Sequence, residues 1–548
     1  MSILSLNFVV FTLATVIVYY LVPLKCRWCI LLLASVVFYA LSGWQGCIWV
    51  LLVAAIAYGS SVLQHKLLLR EKKTAQTEEQ RQKLQEQNQH QSLEESSDGM
   101  SLWEISSDEG MDLPSSGWFS SSKKIKHLRK LVLAISIIVP FLGMAFVKYY
   151  EILPGIWKEL PQLSLIVPLG LSYFTFQSVG YMIDIYRGKF APEQNPLKLL
   201  LFVSFFPQMT QGPISTFPQL MPQLLEGHPF DPDNFVMGAQ LALWGFFKKM
   251  VIADAFSTVA SSITISQPGW FILLTTIIYL MRLYADFSGG MDVIRGAARM
   301  LGVDMIENFR RPFFSLSVAE YWRRWHISLG NWFRNYLFYS FTTSGCGLAL
   351  SKIGKKIFGK KAGRALPAAV STVIIFFLIG IWHKANWNAL IYGLYFGLIM
   401  GAATLLDPSF KKLKKKLHIN EKKTYWKAFC MLRTWILVLL PQYFAYTKGP
   451  EKGFGLLVHT FQNWDFSQAA VQFTNLMDPI YWYGAAGGVL LLLIIDIICE
   501  KVPTLNEKIA KGPFYIRWPL LILLILAILT FGCYGTGYDG AAFLYTNF

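Results

Sequence analysis

The sequence predicts an all-α polytopic membrane protein with about 11–12 transmembrane helices, together with re-entrant and interfacial helices. Three observations support this fold class. Of the 548 residues, 54% are hydrophobic and 15% are charged, against about 25% charged in ordinary soluble domains. The apolar residues form blocks close to the roughly 20 residues that cross a bilayer. Lys and Arg concentrate in short segments between these blocks, as the positive-inside rule distributes them.

The first apolar block, residues 3–22, is interpreted as a retained transmembrane helix rather than a signal peptide, because no basic segment precedes it. Lys25 and Arg27 then place the first connection in the cytoplasm and the N-terminus outside. The later basic segments fit the same parity, so we expect a multi-pass protein of the cell membrane. Further spans are predicted at 28–44, 47–64, 131–149, 163–183, 235–253, 269–287, 366–383, 387–405, 428–446, 481–499 and 517–533.

One long polar stretch, residues 65–130, interrupts this pattern. It begins helically with Lys, Glu and Gln and then becomes acidic and Ser-rich, and such a composition cannot bury a core. We predict a largely disordered cytoplasmic insertion, with a docking arm as the alternative. The insertion separates N-terminal transmembrane helices at 1–64 from a core at 131–405 and from C-terminal transmembrane helices at 406–548.

Two segments depart from simple spans. In residues 198–220, Pro207, Gln208, Gly212 and Pro213 interrupt an apolar run, which predicts a re-entrant or broken helix that lines an internal space. A helix that ends at the interface is the alternative. In residues 318–339, aromatic and apolar side chains recur at helical spacing with Arg on other faces, which is typical of a helix lying at the membrane interface.

The histidines offer the main candidates for chemistry. Of eight, only His326 and His383 lie in aromatic, membrane-embedded surroundings. Ionisable groups at such depth are costly and often functional, although a satisfied interior histidine is an equal alternative for His383. Histidine is a natural general base for an attacking hydroxyl. No GxSxG, HExxH or Walker motif competes with these two residues.

Other site classes find little support in the sequence. The net charge of +17 is spread over loops between spans, so a nucleic-acid partner is not expected. The seven cysteines lie mostly in or beside apolar segments. Cys26 and Cys29 have CxxC spacing, but no second pair or nearby His completes a zinc site. We therefore expect no metal, no disulfide framework and no bound cofactor.

Six short motifs follow one another between residues 168 and 383. The motifs are PLGLSYFTFQS (168–178) with DIYRG (184–188), FFPQMTQGPI (205–214), YADFSG (284–289), ENFRRPF (307–313), YWRRWHISL (321–329) and GIWH (380–383). Together they resemble the membrane-bound O-acyltransferase (MBOAT) family, and in particular its bacterial branch of alginate O-acetyltransferases and teichoic acid D-alanyl transferases.

This resemblance implies a helical membrane fold with a funnel or tunnel, in which an acyl thioester approaches from the cytoplasm. His383 falls on the family's near-invariant histidine, which implies a general base or a transient acyl carrier, and His326 falls on the second characteristic position, with an assisting role. Arg323 and Arg324 would steer donor phosphates or contact lipid headgroups. Residues expected to line or support the channel are Trp382, Trp325, Asp286, Ser288, Glu307, Asn308, Gln208, Gly212, Arg334 and Asn335.

Three departures from the family pattern leave the donor and acceptor open. Lys384 follows His383 where glycine is usual, Asn335 replaces an aspartate after Arg334, and the 65–130 insertion is long. We expect transfer of an acetyl group from acetyl-CoA to an extracellular polysaccharide or cell-wall polymer, with the bilayer as surroundings and a separate extracytoplasmic acyltransferase as partner. The alternatives are D-alanyl transfer to teichoic acid from an acyl-carrier protein, a transporter or flippase, and a scaffold of an export complex.

Overall fold

The computed structural model describes residues 4–95, 119–150, 167–467 and 469–534, and every regular element within them is helical. The first helices are α1 (Leu6–Leu21), α2 (Arg27–Ser42), α3 (Trp44–Glu95), α4 (Phe119–Tyr149), α5 (Leu171–Tyr186), α6 (Pro196–Ser204), α7 (Gln208–Gln211), α8 (Phe217–Glu226), α9 (Pro232–Phe247), α10 (Ala255–Ser261), α11 (Gly269–Met300), α12 (Val318–Arg324) and α13 (Ile327–Phe333).

The remaining helices are α14 (Tyr339–Thr342), α15 (Gly345–Gly363), α16 (Leu366–His383), α17 (Trp387–Lys416), α18 (Thr424–Leu439), α19 (Gln442–Ala445), α20 (Pro450–His459), α21 (Ala469–Leu476), α22 (Pro479–Lys501), α23 (Leu505–Ala510) and α24 (Phe514–Phe531). Two π-helical stretches, Lys248–Ala253 and Arg334–Phe338, follow α9 and α13 directly.

The predicted transmembrane pattern is largely confirmed. Ten helices in the described ranges are long and apolar enough to cross a membrane, and they coincide with ten of the predicted spans. The other two predictions, 3–22 and 163–183, correspond to α1 and α5, which have 16 residues each. These two are shorter than the roughly 20 residues that a straight crossing needs.

The polar insertion begins and ends in helices. Helix α3 continues to Glu95, in line with the helical start expected for this stretch, and α4 begins at Phe119; the largely disordered character of the whole insertion stays a prediction. The Lys, Glu and Gln residues that make this stretch polar are also good helix formers. Arg129 pairs with Glu71, and its backbone carbonyl accepts a hydrogen bond from Gln64 at 2.7 Å, which ties the two helices together. Residues 96–118 lie outside the described ranges.

The chain forms two compact units. One consists of the described residues of Met1–Cys47, Pro168–Tyr173 and Ser204–Phe548, and the other of the described residues of Ile48–Val167 and Phe174–Val203. Both histidines of interest belong to the first unit. The domain boundaries predicted from composition stay a prediction.

The two irregular segments differ in outcome. The broken helix in residues 198–220 is confirmed, because α6 ends at Ser204, α7 has four residues and α8 begins at Phe217. The prediction of a single interfacial helix over 318–339 is wrong. The chain breaks at Trp325 and His326, where His326 takes a left-handed backbone conformation with φ 46° and ψ 54°. This break turns Trp325 and His326 into the interior, where both are buried.

Candidate active site

A cavity of about 330 Å³ lies within the first unit, bounded by α11, the α12–α13 break, the α16–α17 turn and the segment that follows α18. It contains both predicted catalytic histidines on its wall. The lining residues are Tyr279, Arg282, Leu283, Trp322, Trp325, His326, Leu329, Ile379, Gly380, His383, Lys384, Asn386, Asn388, Ala389, Tyr392, Phe444, Ala445, Tyr446 and Thr447. The fold therefore brings together two residues that are 57 positions apart in the sequence.

His326 is held by the loop that precedes α12. Its Nδ1 lies 3.4 Å from Oδ1 of Asn308, and the same oxygen accepts a hydrogen bond from the backbone N–H of Ser328 at 2.8 Å. The carbonyl of Asn308 also accepts from the backbone N–H of Ile327 at 3.0 Å. Because an amide oxygen only accepts, this arrangement favours the tautomer with the proton on Nδ1. Asn308 thus fixes both the backbone and the ring at the break.

Burial decides the charge of His326. The residue is 3% exposed, and the edge-to-face contact with Phe287, at 4.9 Å between ring centroids, surrounds it with apolar atoms. Desolvation disfavours the imidazolium form and lowers the pKa of His326 to about 3. At neutral pH the side chain is therefore a neutral hydrogen-bonding group.

His383 occupies a different environment at the last residue of α16. It is partly exposed, and its ring contacts the ring of Trp382 at 4.5 Å between centroids. The indole N–H of Trp382 donates a hydrogen bond to Oγ of Ser172 at 3.2 Å, which fixes the neighbouring ring. A partly exposed imidazole can exchange protons with solvent and substrate, unlike the buried His326.

The helices that carry the site pack closely through glycines. A Cβ on Gly380 would lie 2.5 Å from the carbonyl oxygen of Ala389, and a Cβ on Gly393 would lie 2.3 Å from that of Phe376. Helices α16 and α17 can therefore approach only because these positions lack side chains. The tight hairpin sets the position of His383 at its turn.

An aromatic cluster supports the cavity floor next to His326. Trp325 stacks on Tyr321 at 5.5 Å between centroids and meets Phe309 edge-to-face at 4.9 Å. Phe309 in turn contacts Phe287 at 4.9 Å, which contacts His326. The Trp at position 325, predicted as a supporting residue, is thus part of a continuous packed wall beside the imidazole.

A protein-family model matches the part of the chain that contains most of the residues that line this cavity. Residues 192–440, which contain both histidines and Asn308, match the model of the membrane-bound O-acyltransferase family. Residues 192–440 thus form an MBOAT family domain. Together with the ten membrane-length helices among the described residues, this domain makes the chain a multi-pass membrane protein.

Several curated proteins are similar to this chain. The "Probable alginate O-acetylase AlgI" of Azotobacter vinelandii is 32% identical over 257 residues, which cover 46% of this chain and 47% of the relative. The peptidoglycan O-acetyltransferase of Helicobacter pylori is 27% identical over 54% of this chain and 58% of the relative. The teichoic acid D-alanyltransferase of Bacillus subtilis is 29% identical over 51% of this chain and 69% of the relative. The matches with the alginate O-acetylases thus span about half of their length.

Some predicted channel residues of the MBOAT domain instead form buried ion pairs. Asp286 accepts from Lys249 at 2.6 Å, and Lys249 also contacts Asp254 at 2.6 Å. Ser288 accepts from Lys248 at 3.0 Å. These contacts support α11 rather than line the histidine cavity. Ser288 and Glu307 border a second cavity of about 580 Å³ beside α9, α22 and α24.

The other predicted residues lie away from the histidine cavity. Gln208 and Gly212 belong to the buried turn around α7, where the Gly212 N–H donates to the Gln208 carbonyl at 3.0 Å. Arg334 is exposed and Asn335 is partly exposed, and neither lines the cavity. Arg323 is exposed as well.

Arg324, which was predicted to steer donor phosphates, has two carboxylates as partners. Its guanidinium pairs with Glu320 at 2.8 Å and also with Glu500. Because its charge is already neutralised by two carboxylates, a phosphate would have to compete with both of them.

Several polar residues of the cavity wall were not predicted from the sequence, among them Tyr279, Arg282, Asn388, Tyr392 and Tyr446. Asn388 donates from Nδ2 to the carbonyls of Phe444 and Thr447, at 3.0 Å and 2.6 Å, and so anchors the segment after α18. For Arg282 a signal was present, since a single arginine inside an apolar span is costly and often functional.

Proposed function

We propose that the chain is a membrane O-acyltransferase that moves an acetyl group from a cytoplasmic thioester donor to a hydroxyl of an extracellular polysaccharide or cell-wall polymer. The observation that carries this proposal is the shared cavity inside the MBOAT domain, which both His326 and His383 line. The names of the relatives, which act on alginate, peptidoglycan and teichoic acid, support this class of acceptor.

In the proposed reaction His383 acts as the general base. A ring nitrogen removes the proton from the acceptor hydroxyl while the hydroxyl oxygen attacks the thioester carbonyl. The tetrahedral intermediate collapses, the carbon–sulfur bond breaks, and the leaving thiolate takes the proton back from His383. The products are an ester and a free thiol. Partial exposure of His383 suits this cycle of proton uptake and release.

His326 has a different role in the proposal. Because its pKa is about 3, the neutral ring of His326 does not take up a further proton during the reaction at neutral pH. With Nδ1 facing Asn308, its other ring nitrogen is a hydrogen-bond acceptor that orients the acceptor glycan through a hydroxyl other than the one that His383 deprotonates. Asn308 is thus a positioning residue that acts through His326.

The orientation of the chain gives the direction of transfer. The positive-inside rule places the basic residues 352–364 and 411–427 in the cytoplasm. The α16–α17 turn, with His383 at its start, then lies on the extracytoplasmic side, where His383 has access to an extracellular polymer. A separate extracytoplasmic protein that holds the polymer is part of the proposal, and a D-alanyl carrier protein is the alternative donor.

The test measures label transfer from acetyl-CoA, or from a D-alanyl carrier protein, to a glycan acceptor by protein in proteoliposomes. The variants are His383→Gln and, as a matched control, His459→Gln, which removes a histidine at the end of α20 away from the cavity. Loss of a general base lowers the rate by about 10²–10⁴-fold. We expect such a loss for His383→Gln and a wild-type rate for the control. A wild-type rate for His383→Gln contradicts the proposed mechanism, and failure of both donors with the wild-type protein contradicts the proposed function.

A further inference from the structure

The charged side chains that line the histidine cavity are all basic. Two cationic side chains, Arg282 and Lys384, line it, and the described residues that line it include no Asp or Glu. The second cavity is different, since Lys248 on its wall contacts Asp292 at 2.6 Å. A cavity with basic groups and no carboxylate attracts anions, and low-dielectric walls strengthen that attraction.

Arg282 is the more unusual of the two cations because it lies inside the membrane-length helix α11. Its Nε is buried and has no acceptor in the described part of the chain, and none of the ion pairs found there includes Arg282. A cation within a membrane-length helix that lacks a counter-charge is expensive. By contrast, Lys249 on the neighbouring element contacts two carboxylates.

Tyr279 adds a second donor one helical turn away. Residues three apart share a helix face, and both Tyr279 and Arg282 line the cavity. The Tyr279 side chain is 2% exposed, and its hydroxyl has no hydrogen-bond partner among the described residues. Buried polar groups are almost always hydrogen-bonded. Two such donors on one wall of a cavity therefore mark a binding site for an acceptor-rich group.

We infer that Arg282 and Tyr279 form a binding site for an oxyanionic group of the substrate, a carboxylate or a phosphate, beside the two histidines. The planar guanidinium fork matches the two oxygens of either group. This inference rests on the proposed function for its link to the acceptor polymer, and it narrows that acceptor to an anionic one.

The first experiment measures binding and needs no turnover. Quenching of Trp322 and Trp325, which line the cavity, reports titration with D-glucuronate, its uncharged methyl ester, glycerol 3-phosphate and glycerol. The variants are Arg282→Gln, Arg282→Lys and Tyr279→Phe, with exposed Arg364→Gln as the control. A hydrogen bond to a charged group increases the binding affinity by about tenfold or more.

We expect wild type to bind one of the charged probes at least about tenfold more tightly than its uncharged partner, and the responding probe identifies carboxylate or phosphate as the ligand. Arg282→Gln abolishes this preference, Arg282→Lys and Tyr279→Phe retain part of it, and Arg364→Gln leaves it unchanged. Equal binding of charged and uncharged probes by wild type, or an unchanged preference in Arg282→Gln, overturns the inference.

A second experiment uses turnover and separates this inference from the proposed function. With anionic and neutral acceptor glycans, Arg282→Gln is expected to raise KM for the anionic acceptor alone and to leave kcat unchanged. An equal fall of kcat with both acceptors overturns the inference in favour of a role in the reaction step. If wild type transfers no label at all, the proposed function fails, while the binding titrations still decide the role of Arg282.

Discussion

Replacing His326 with asparagine is expected to reduce the loss of stability that the protein suffers at acid pH. The pKa of His326 is lowered from 6.5 to about 3 by burial in the folded state. Between these values the unfolded imidazole binds a proton and the folded one does not. Stability therefore falls as pH decreases from 6.5 towards 3, by up to about 1.4 kcal/mol per pH unit.

The size of the effect follows from the two pKa values. At pH 7.5 both states are mainly neutral and the contribution is close to zero. At pH 5 it amounts to about 2 kcal/mol of lost stability. Asparagine is the suitable replacement because it tolerates the left-handed conformation that His326 adopts, with φ 46°. The variant thus removes the titrating group without adding backbone strain.

The assay is thermal unfolding in detergent, followed by tryptophan fluorescence from pH 7.5 to pH 5. His418→Asn is the matched control, because His418 has φ 51° as well but is exposed. Wild type and the control should lose more stability on acidification than His326→Asn. An equal loss in all three proteins, or a larger loss in His326→Asn, would refute the reasoning about burial.

Two further predictions concern packing. Lys249→Met leaves Asp254 and Asp286, each 2.6 Å from the lysine Nζ, without their shared cation, and should cost about 3–5 kcal/mol of stability; an unchanged unfolding midpoint contradicts this. Gly393→Ala places a Cβ 2.3 Å from the Phe376 carbonyl oxygen, which should separate α16 from α17 and reduce acyl transfer in the same proteoliposome assay. A wild-type rate and midpoint together would show that the hairpin tolerates the extra carbon.

The membrane fold was predictable because bilayer length and apolar composition determine spans locally. The two histidines were also identifiable, since few ionisable groups occur in apolar surroundings. Helical periodicity in 318–339 correctly predicts helix on either side of His326 but does not reveal the break there, because the left-handed conformation depends on contacts with Asn308. The sequence also did not reveal that Lys249 is the partner of Asp286, because this lysine lies on a π-helical stretch 37 residues away.

Long-range packing also decides which polar residues share a cavity. Tyr279 and Arg282 lie within one predicted span, and their spacing alone places them on one face. That this face looks into the histidine cavity depends on where α16 and α17 pack, which the sequence pattern does not specify. Arg323 and Arg324 are adjacent in sequence, yet one is exposed and the other pairs with Glu500 from α22.

The most direct test of the central claim is chemical rescue of His383→Ala. The rate of label transfer from the thioester donor is measured with increasing concentrations of free imidazole, which enters the space left by the deleted ring. If His383 is the general base, transfer falls by about 10²–10⁴-fold and then rises with imidazole concentration. A His383→Ala variant that transfers label at the wild-type rate without imidazole contradicts the assignment.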